Sequence, residues 1–140
     1  MIEPDIYQVL EIEAELYSDP LTEYDLRELL RQRNTAAHVA EDLYGDVAGF
    51  IIFDVAPICY KIVRLSISLQ SIRNGHGTAL IDKLKQKLTH RRHSIGIQVQ
   101  ERSLAMQLFL RAQGFHYVGT RPEAGNDGDD IYLFEFTRKS

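Results

Sequence analysis

The sequence predicts an α/β (α+β) domain in which a mixed sheet carries helices on both faces. Three observations lead there. Two segments with helical periodicity come first. Three short apolar runs then follow one another closely, as in a strand meander. The second half reads strand, glycine loop, helix, strand, helix, and ends in two closing strands. A chain of 140 residues fits one domain, 1–140, long enough to bury a core.

Pro4 and Asp5 suit a helix start, and Ile6, Val9, Leu10, Glu13 and Leu16 recur at roughly helical spacing until Ser18-Asp19-Pro20 breaks the run. Thr22-Glu23-Tyr24-Asp25 is a variant capping box, with Asp where Glu or Gln is usual. It opens a helix through Leu26, Leu29 and Leu30, and Arg31, Arg33 and Asn34 suit its C-terminal end. Residues 36–44 read as a strand, Tyr44-Gly45-Asp46 as a hairpin turn, and Val47–Val55 as the second strand, which Ala56-Pro57 ends. Residues 60–68 are the third.

Ile72-Arg73-Asn74-Gly75-His76-Gly77-Thr78 then opens a helix carrying Leu80, Ile81, Leu84 and Leu88, predicted to run to about His90. Strand, glycine loop, helix is the order that builds an anion cradle. Glycines let a phosphate approach the backbone, and the first helical N–H groups face it with the positive end of the dipole behind them. The spacing is neither a Walker loop nor a three-glycine dinucleotide turn, so a plain tight turn fits about as well. Residues 94–99 read as a strand. A helix from about Ser103 places Ala105, Leu108, Phe109 and Ala112 on one face, with Gly114 as its cap. Residues 115–120 and Ile131–Thr137 close the sheet.

Net charge of -4 and a pI of about 5.7 argue against bulk affinity for nucleic acid or an anionic membrane. The single cysteine, Cys59, excludes an intrachain disulfide and suits a reducing cytoplasm. The N-terminus has no secretory pattern, and the apolar runs are too short to span a bilayer. His38, His76, His90, His93 and His116 show no metal-ligand spacing with Cys59 or the carboxylates, so no metal is expected. Asn126-Asp127-Gly128-Asp129-Asp130 does not fit a calcium loop and reads as a hairpin turn. His76 reads first as an exposed loop residue. Lys83, Lys85, Lys87, Arg91 and Arg92 read as a solvated face that complements the helix dipole, with contact to a cofactor phosphate as the second reading.

From residue 5 to residue 136 the chain resembles the GNAT superfamily of N-acetyltransferases. Four stretches carry the likeness: the opening helix 5–13; the third strand feeding Arg73-Asn74-Gly75-His76-Gly77-Thr78; Gln98-Val99-Gln100-Glu101-Arg102-Ser103 with Leu108-Phe109-Leu110; and Gln113-Gly114-Phe115. Within the superfamily it is similar to bacterial ribosomal-protein alanine N-acetyltransferases, at Leu10-Glu11-Ile12-Glu13 and the Ser18-Asp19-Pro20 break. The resemblance implies a mostly antiparallel twisted sheet whose central strand pair splays to admit acetyl-CoA. It also implies that Leu65, Ser66 and Ile67 bind pantetheine through their backbones, that Arg73, Asn74, Gly75, His76, Gly77 and Thr78 hold the pyrophosphate, and that Ser103 contacts the cofactor. An amine acceptor then attacks the acetyl carbonyl directly. As partners the resemblance implies acetyl-CoA and that amine, with the protein a monomer or homodimer.

The chain departs from the family pattern at five places. Ile72 stands where Gln or Arg usually begins the loop, and Ser103 where Asn is common. Gln98 replaces the Glu that serves as base, and Leu110 the Tyr that serves as acid. The paired tyrosines near the acceptor site are absent from Arg121-Pro122-Glu123-Ala124-Gly125. Helical spacing with Ser103 and Met106 predicts that Leu110 faces the cofactor. Gln98, Glu101 and Glu41 are the weak candidates for proton handling, with Asp54 as a further carboxylate. The leading expectation is an acetyl-CoA-dependent N-acetyltransferase acting on a protein N-terminus or a small molecule. The alternative is a catalytically weak domain of the same fold that binds acyl-CoA, and a ligand-free interaction module comes third.

Overall fold

The computed structural model describes residues 1–72, 74–125 and 128–139. In chain order it has α1 (Glu3–Leu16), α2 (Glu23–Arg31), β1 (Thr35–Glu41), β2 (Val47–Val55), β3 (Cys59–Ile67), a 3-10 turn Leu69–Ser71, α3 (His76–Lys85), β4 (Ser94–Gln100), α4 (Leu104–Ala112), β5 (His116–Arg121) and β6 (Ile131–Thr137). The strands form one six-stranded sheet in the order β1-β2-β3-β4-β6-β5. β3 and β4 pair in parallel and their neighbours are antiparallel. The parallel pair needs a crossover, and α3 supplies it. No described helix is long and apolar enough to cross a membrane.

The capping box at α2 forms as its sequence requires. Asp25 N–H donates to Thr22 Oγ1 at 3.0 Å, and Thr22 N–H donates to Asp25 Oδ2 at 3.2 Å. Register then decides which side chains share a face. In β2, Phe50 and Ile52 face α1 and α2 and pack with Ile6, Val9, Ile12 and Leu26. Ile51 and Phe53 face the other way, onto Leu80, Ile81 and Leu84 of α3 and Leu110 of α4. β2 is thus covered on both faces, and each such side chain contributes about 1.5–3 kcal/mol when fully buried.

β3 carries one more residue than β2 at its middle. Phe53 pairs with Ile62 but Ile52 pairs with Arg64, so Val63 is an unpaired bulge residue. The insertion reverses the alternation. Ile62 and Leu65 both face α3, whereas Arg64 and Ser66 turn toward α1. The bulge also marks where the parallel pairing ends: β3 and β4 are in register from Cys59 with Ser94 to Ile62 with Ile97, and not beyond. Among the described residues, the Val63–Ile67 edge of β3 therefore has no strand partner on its β4 side.

Two sequence expectations are corrected. α3 ends at Lys85 instead of near His90. Thr89 closes a turn there, since its N–H donates to the Arg92 carbonyl at 2.9 Å and its Oγ1 accepts from Arg92 N–H at 3.0 Å. In α4 the fully buried residue is Leu110, while Leu108 is 68% exposed. The helix turns Met106, Phe109 and Leu110 inward, at spacings of three and four, so Ala105, Leu108 and Ala112 are not its core face. Of the basic cluster, Lys85 donates to the Gln113 carbonyl and lies over the Phe136 ring, and Arg92 donates to the Ala56 carbonyl.

His38 on β1 leans on Phe53, with its Nε2 buried and unpartnered among the described groups. Burial, with the nearby charges of Lys83, Lys87 and the N-terminus, pushes its pKa down from 6.5 to about 4. The unfolded chain takes up this proton near pH 6.5 and the folded chain does so only near 4. The stabilising contribution is thus complete above pH 6.5 and falls away as the pH drops toward 4. The full shift is worth about 3 kcal/mol, and solvent contact of the half-buried ring reduces it to roughly 1–2 kcal/mol. Urea titrations between pH 7 and 4 should show this loss, and His38→Phe should flatten it.

Candidate active site

The splay between β3 and β4 opens a cavity of about 480 Å³. Leu65 and Ile67 of β3 line it, with Ser103, Met106 and Phe109 across from them, and Leu16 and Tyr17 at the end of α1. A second cavity of about 520 Å³ shares Ile67, Ile72, Gly77, Ala105 and Phe109 with the first and continues to Gly75, His76 and Thr78. Together they form one path from the sheet to the start of α3.

Gly75 precedes α3 with φ +83°, a left-handed conformation that glycine adopts without strain. Ala79 N–H closes the first helical bond onto the Gly75 carbonyl at 3.0 Å. His76, Gly77 and Thr78 occupy the first turn, so their amides have no intrahelical acceptor and carry the positive end of the dipole. Gly77 is buried, and a Cβ on it would lie 3.1 Å from the Phe109 ring. Thr78 Oγ1 accepts from Gln113 Nε2 at 3.0 Å, which ties the turn to the end of α4.

The predicted binding residues Leu65, Ile67, Gly75, His76, Gly77, Thr78 and Ser103 therefore line one continuous path. Ser66 belongs to the same free edge, but its side chain points to the opposite face, where its Oγ lies 2.9 Å from the Tyr17 hydroxyl. Asn74 borders an adjacent polar groove together with Glu41 and Asp42. Arg73 lies outside the described residues, as do Asn126 and Asp127. Leu110 is buried in the core and does not line the path, so its predicted position toward the cofactor is corrected. The three-and-seven spacing put it on the wrong side, because α4 rolls its i+4 residue under the helix.

The candidates for proton handling are scattered. Gln98 lies on the face of β4 opposite Ile97 and Val99, exposed, with its Oε1 accepting from Arg121 at 3.2 Å. It borders a groove of about 490 Å³ with Val63 and Gly96, where a Cβ on Gly96 would meet nothing within 4 Å. Glu101 Oε1 accepts the Asp130 amide at 3.0 Å, and Arg102 pairs with Asp129, whose carboxyl it holds below the usual range. Both contacts pin the β5–β6 connection. Glu41 is exposed at the end of β1, and Asp54 accepts from Thr35 Oγ1 at 2.7 Å. Among the described residues no group of three or more His, Cys, Asp or Glu is placed to hold a metal.

The sequence reading missed the polar group behind the cavity wall. Glu13 is fully buried and its Oε1 accepts from Arg64 Nε at 2.9 Å, while its Oε2 has no partner among the described residues. The Arg64 guanidinium lies 4.4 Å above the Tyr17 ring. A charge inside the apolar run Ile62-Val63-Arg64-Leu65, facing a Glu within a helical apolar stripe, is the signal that could have revealed the pair.

A parallel strand pair that splays at a bulge, with free amides of a helix start at the mouth, is the arrangement that the GNAT resemblance implies. Residues 6–115 match the acetyltransferase (GNAT) family, and the chain belongs to it. It is accordingly an acetyltransferase that uses acetyl-CoA and an amine acceptor. Among solved structures it is similar to the ribosomal-protein-S18-alanine N-acetyltransferase of Escherichia coli, with TM-score 0.84 and 17% identity over 100% of this chain and 92% of that one. It is also similar to Arabidopsis thaliana NAA60 in complex with a bisubstrate analogue, with TM-score 0.85 and 13% identity over 99% and 95%. A streptothricin acetyltransferase from Bacillus anthracis in complex with acetyl coenzyme A gives TM-score 0.68 and 18% identity over 79% and 66%. No curated protein matches the chain in sequence.

Proposed function

We propose that residues 1–140 form one acyl-CoA N-acyltransferase domain that delivers acetyl directly to an α-amine, on a protein N-terminus or a small molecule. The observation that carries this reading is the continuous path from the α3 amides to the unpaired edge of β3. Bound acetyl-CoA supplies the thioester-activated acetyl group. The backbone of Leu65, Ser66 and Ile67 would hold its pantetheine arm. Arg73, Asn74, Gly75, His76, Gly77 and Thr78 would cradle its pyrophosphate, and Ser103 would flank the arm. The backbones of Leu65, Ser66 and Ile67 in β3 and of His76, Gly77 and Thr78 in α3 are fixed by strand and helix, which is the arrangement electrostatic stabilisation requires.

The acceptor would approach from the opposite face, along the groove at Val63, Gly96 and Gln98. Among the described residues the cavity in the splay is lined by no carboxylate or imidazole, and the two carboxylates that border the acceptor groove, Asp54 and Glu135, already accept from Thr35 Oγ1 and Thr137 Oγ1. An acceptor nitrogen that arrives neutral needs neither of them. An α-amine with pKa about 8 is neutral at physiological pH roughly 100 times more often than a lysine at about 10.4. The likeness to an enzyme named for an alanine acceptor agrees with this choice. We place the protein in the cytoplasm as a monomer or homodimer, without a nucleic-acid or membrane partner. Its single cysteine and net charge of -4 support that.

Thiol release from acetyl-CoA tests the reading, with an alanine-initiated peptide compared against the same peptide blocked at its N-terminus and carrying one lysine. The free N-terminus should react about 100-fold faster at pH 7, with a rate that climbs through pH 8 as the acceptor loses its proton. Equal use of the lysine peptide would overturn the assignment.

A further inference from the structure

Two cavities that share a middle have two distinct ends. Gly75, His76 and Thr78 line only the second, and their free amides mark the anion end. Leu16, Tyr17, Leu65 and Met106 line only the first, so they bound the end farthest from the anion. If the pyrophosphate sits at one end, the acyl group sits at the other.

At that far end, Tyr17 is held at two points. Its hydroxyl lies 2.9 Å from Ser66 Oγ, and Ser66 is itself buried. The ring face is covered by Arg64 at 4.4 Å, and Arg64 is fixed in turn by the fully buried Glu13. A ring clamped at its tip and on its face cannot swing aside for a longer ligand. We propose that Tyr17 sets the length of acyl chain that the donor can carry, and so confines the enzyme to short acyl groups. This rests on the acyl-CoA reading of the cavity given above.

Calorimetric titration without any acceptor tests this on binding alone, with CoA, acetyl-CoA and butyryl-CoA as ligands. In Tyr17→Ala, butyryl-CoA should gain about 10-fold over acetyl-CoA relative to the native protein, the value of two newly buried methylenes. Tyr17→Phe keeps the ring under Arg64 but loses the clamp at its tip, and should move the ratio in the same direction by a smaller factor than Tyr17→Ala. Met106→Phe narrows the same end from α4 and should shift the ratio the opposite way. Tyr17→Leu serves if the alanine variant does not fold. A butyryl-to-acetyl ratio unchanged in Tyr17→Ala or Tyr17→Leu overturns the role of Tyr17, even if all affinities fall together. Failure of the native protein to bind CoA overturns the acyl-CoA reading and this inference with it.

Discussion

Arg64→Ala is expected to lower folding stability by roughly 3–5 kcal/mol, read as a shift of the urea midpoint, because it strands a carboxylate inside the protein. The Glu13 side chain is fully buried, while that of Arg64 keeps 28% of its surface exposed. Among the described residues one Glu13 oxygen already lacks a partner, and without Arg64 the other keeps only the Leu21 amide at 3.4 Å. Replacing both charges, in Glu13→Leu with Arg64→Leu, should restore most of the loss, since the cost lies in the unpaired charge and the pair adds little net stability. A single-variant loss below about 1 kcal/mol would mean that the pair behaves like an exposed one.

Gly77→Val should reduce acetyl-CoA affinity on the order of 10- to 100-fold, because overpacking of about 1–3 kcal/mol at the junction of the two cavities falls on the bound state. Any Cβ at Gly77 falls 3.1 and 3.2 Å from two Phe109 ring atoms and 3.7 Å from Ile67. Alanine would ask the Phe109 ring to give by a few tenths of an ångström. Valine adds two methyls where the two cavities join. The overpacking costs about 1–3 kcal/mol, so the unliganded fold should persist by circular dichroism while the thermal shift with acetyl-CoA disappears. A retained thermal shift would mean that the pyrophosphate is held elsewhere.

Much of the architecture was legible because local signals agreed with tertiary demand. β2 and β6 have the bounds their apolar runs predict, and the Thr22 box caps α2 as its spacing requires. The glycine loop announced the mouth of the cleft through Gly75 and Gly77. α4 misled because both of its sides carry apolar residues, so periodicity alone could not choose between Leu108 and Leu110. Tyr17 was hidden by position: it follows the last helical residue and precedes Ser18-Asp19-Pro20, where a sequence reading sees only a break. Val63 gave no sign at all. A valine in a strand is ordinary, and its status as an extra residue exists only in relation to β2.

That extra residue settles how the site comes to be open. β3 and β4 part because their register runs out at Ile62 and Ile97, and the core under α3, which takes in Tyr60, Ile62 and Leu65, holds β3 in that register. The gap in the sheet follows from strand register and is built into the fold. A donor entering it would meet backbone groups already oriented by the strand, so little of its binding free energy would go into ordering the protein. The protein carries that cost once, on folding, in the unmatched edge of β3.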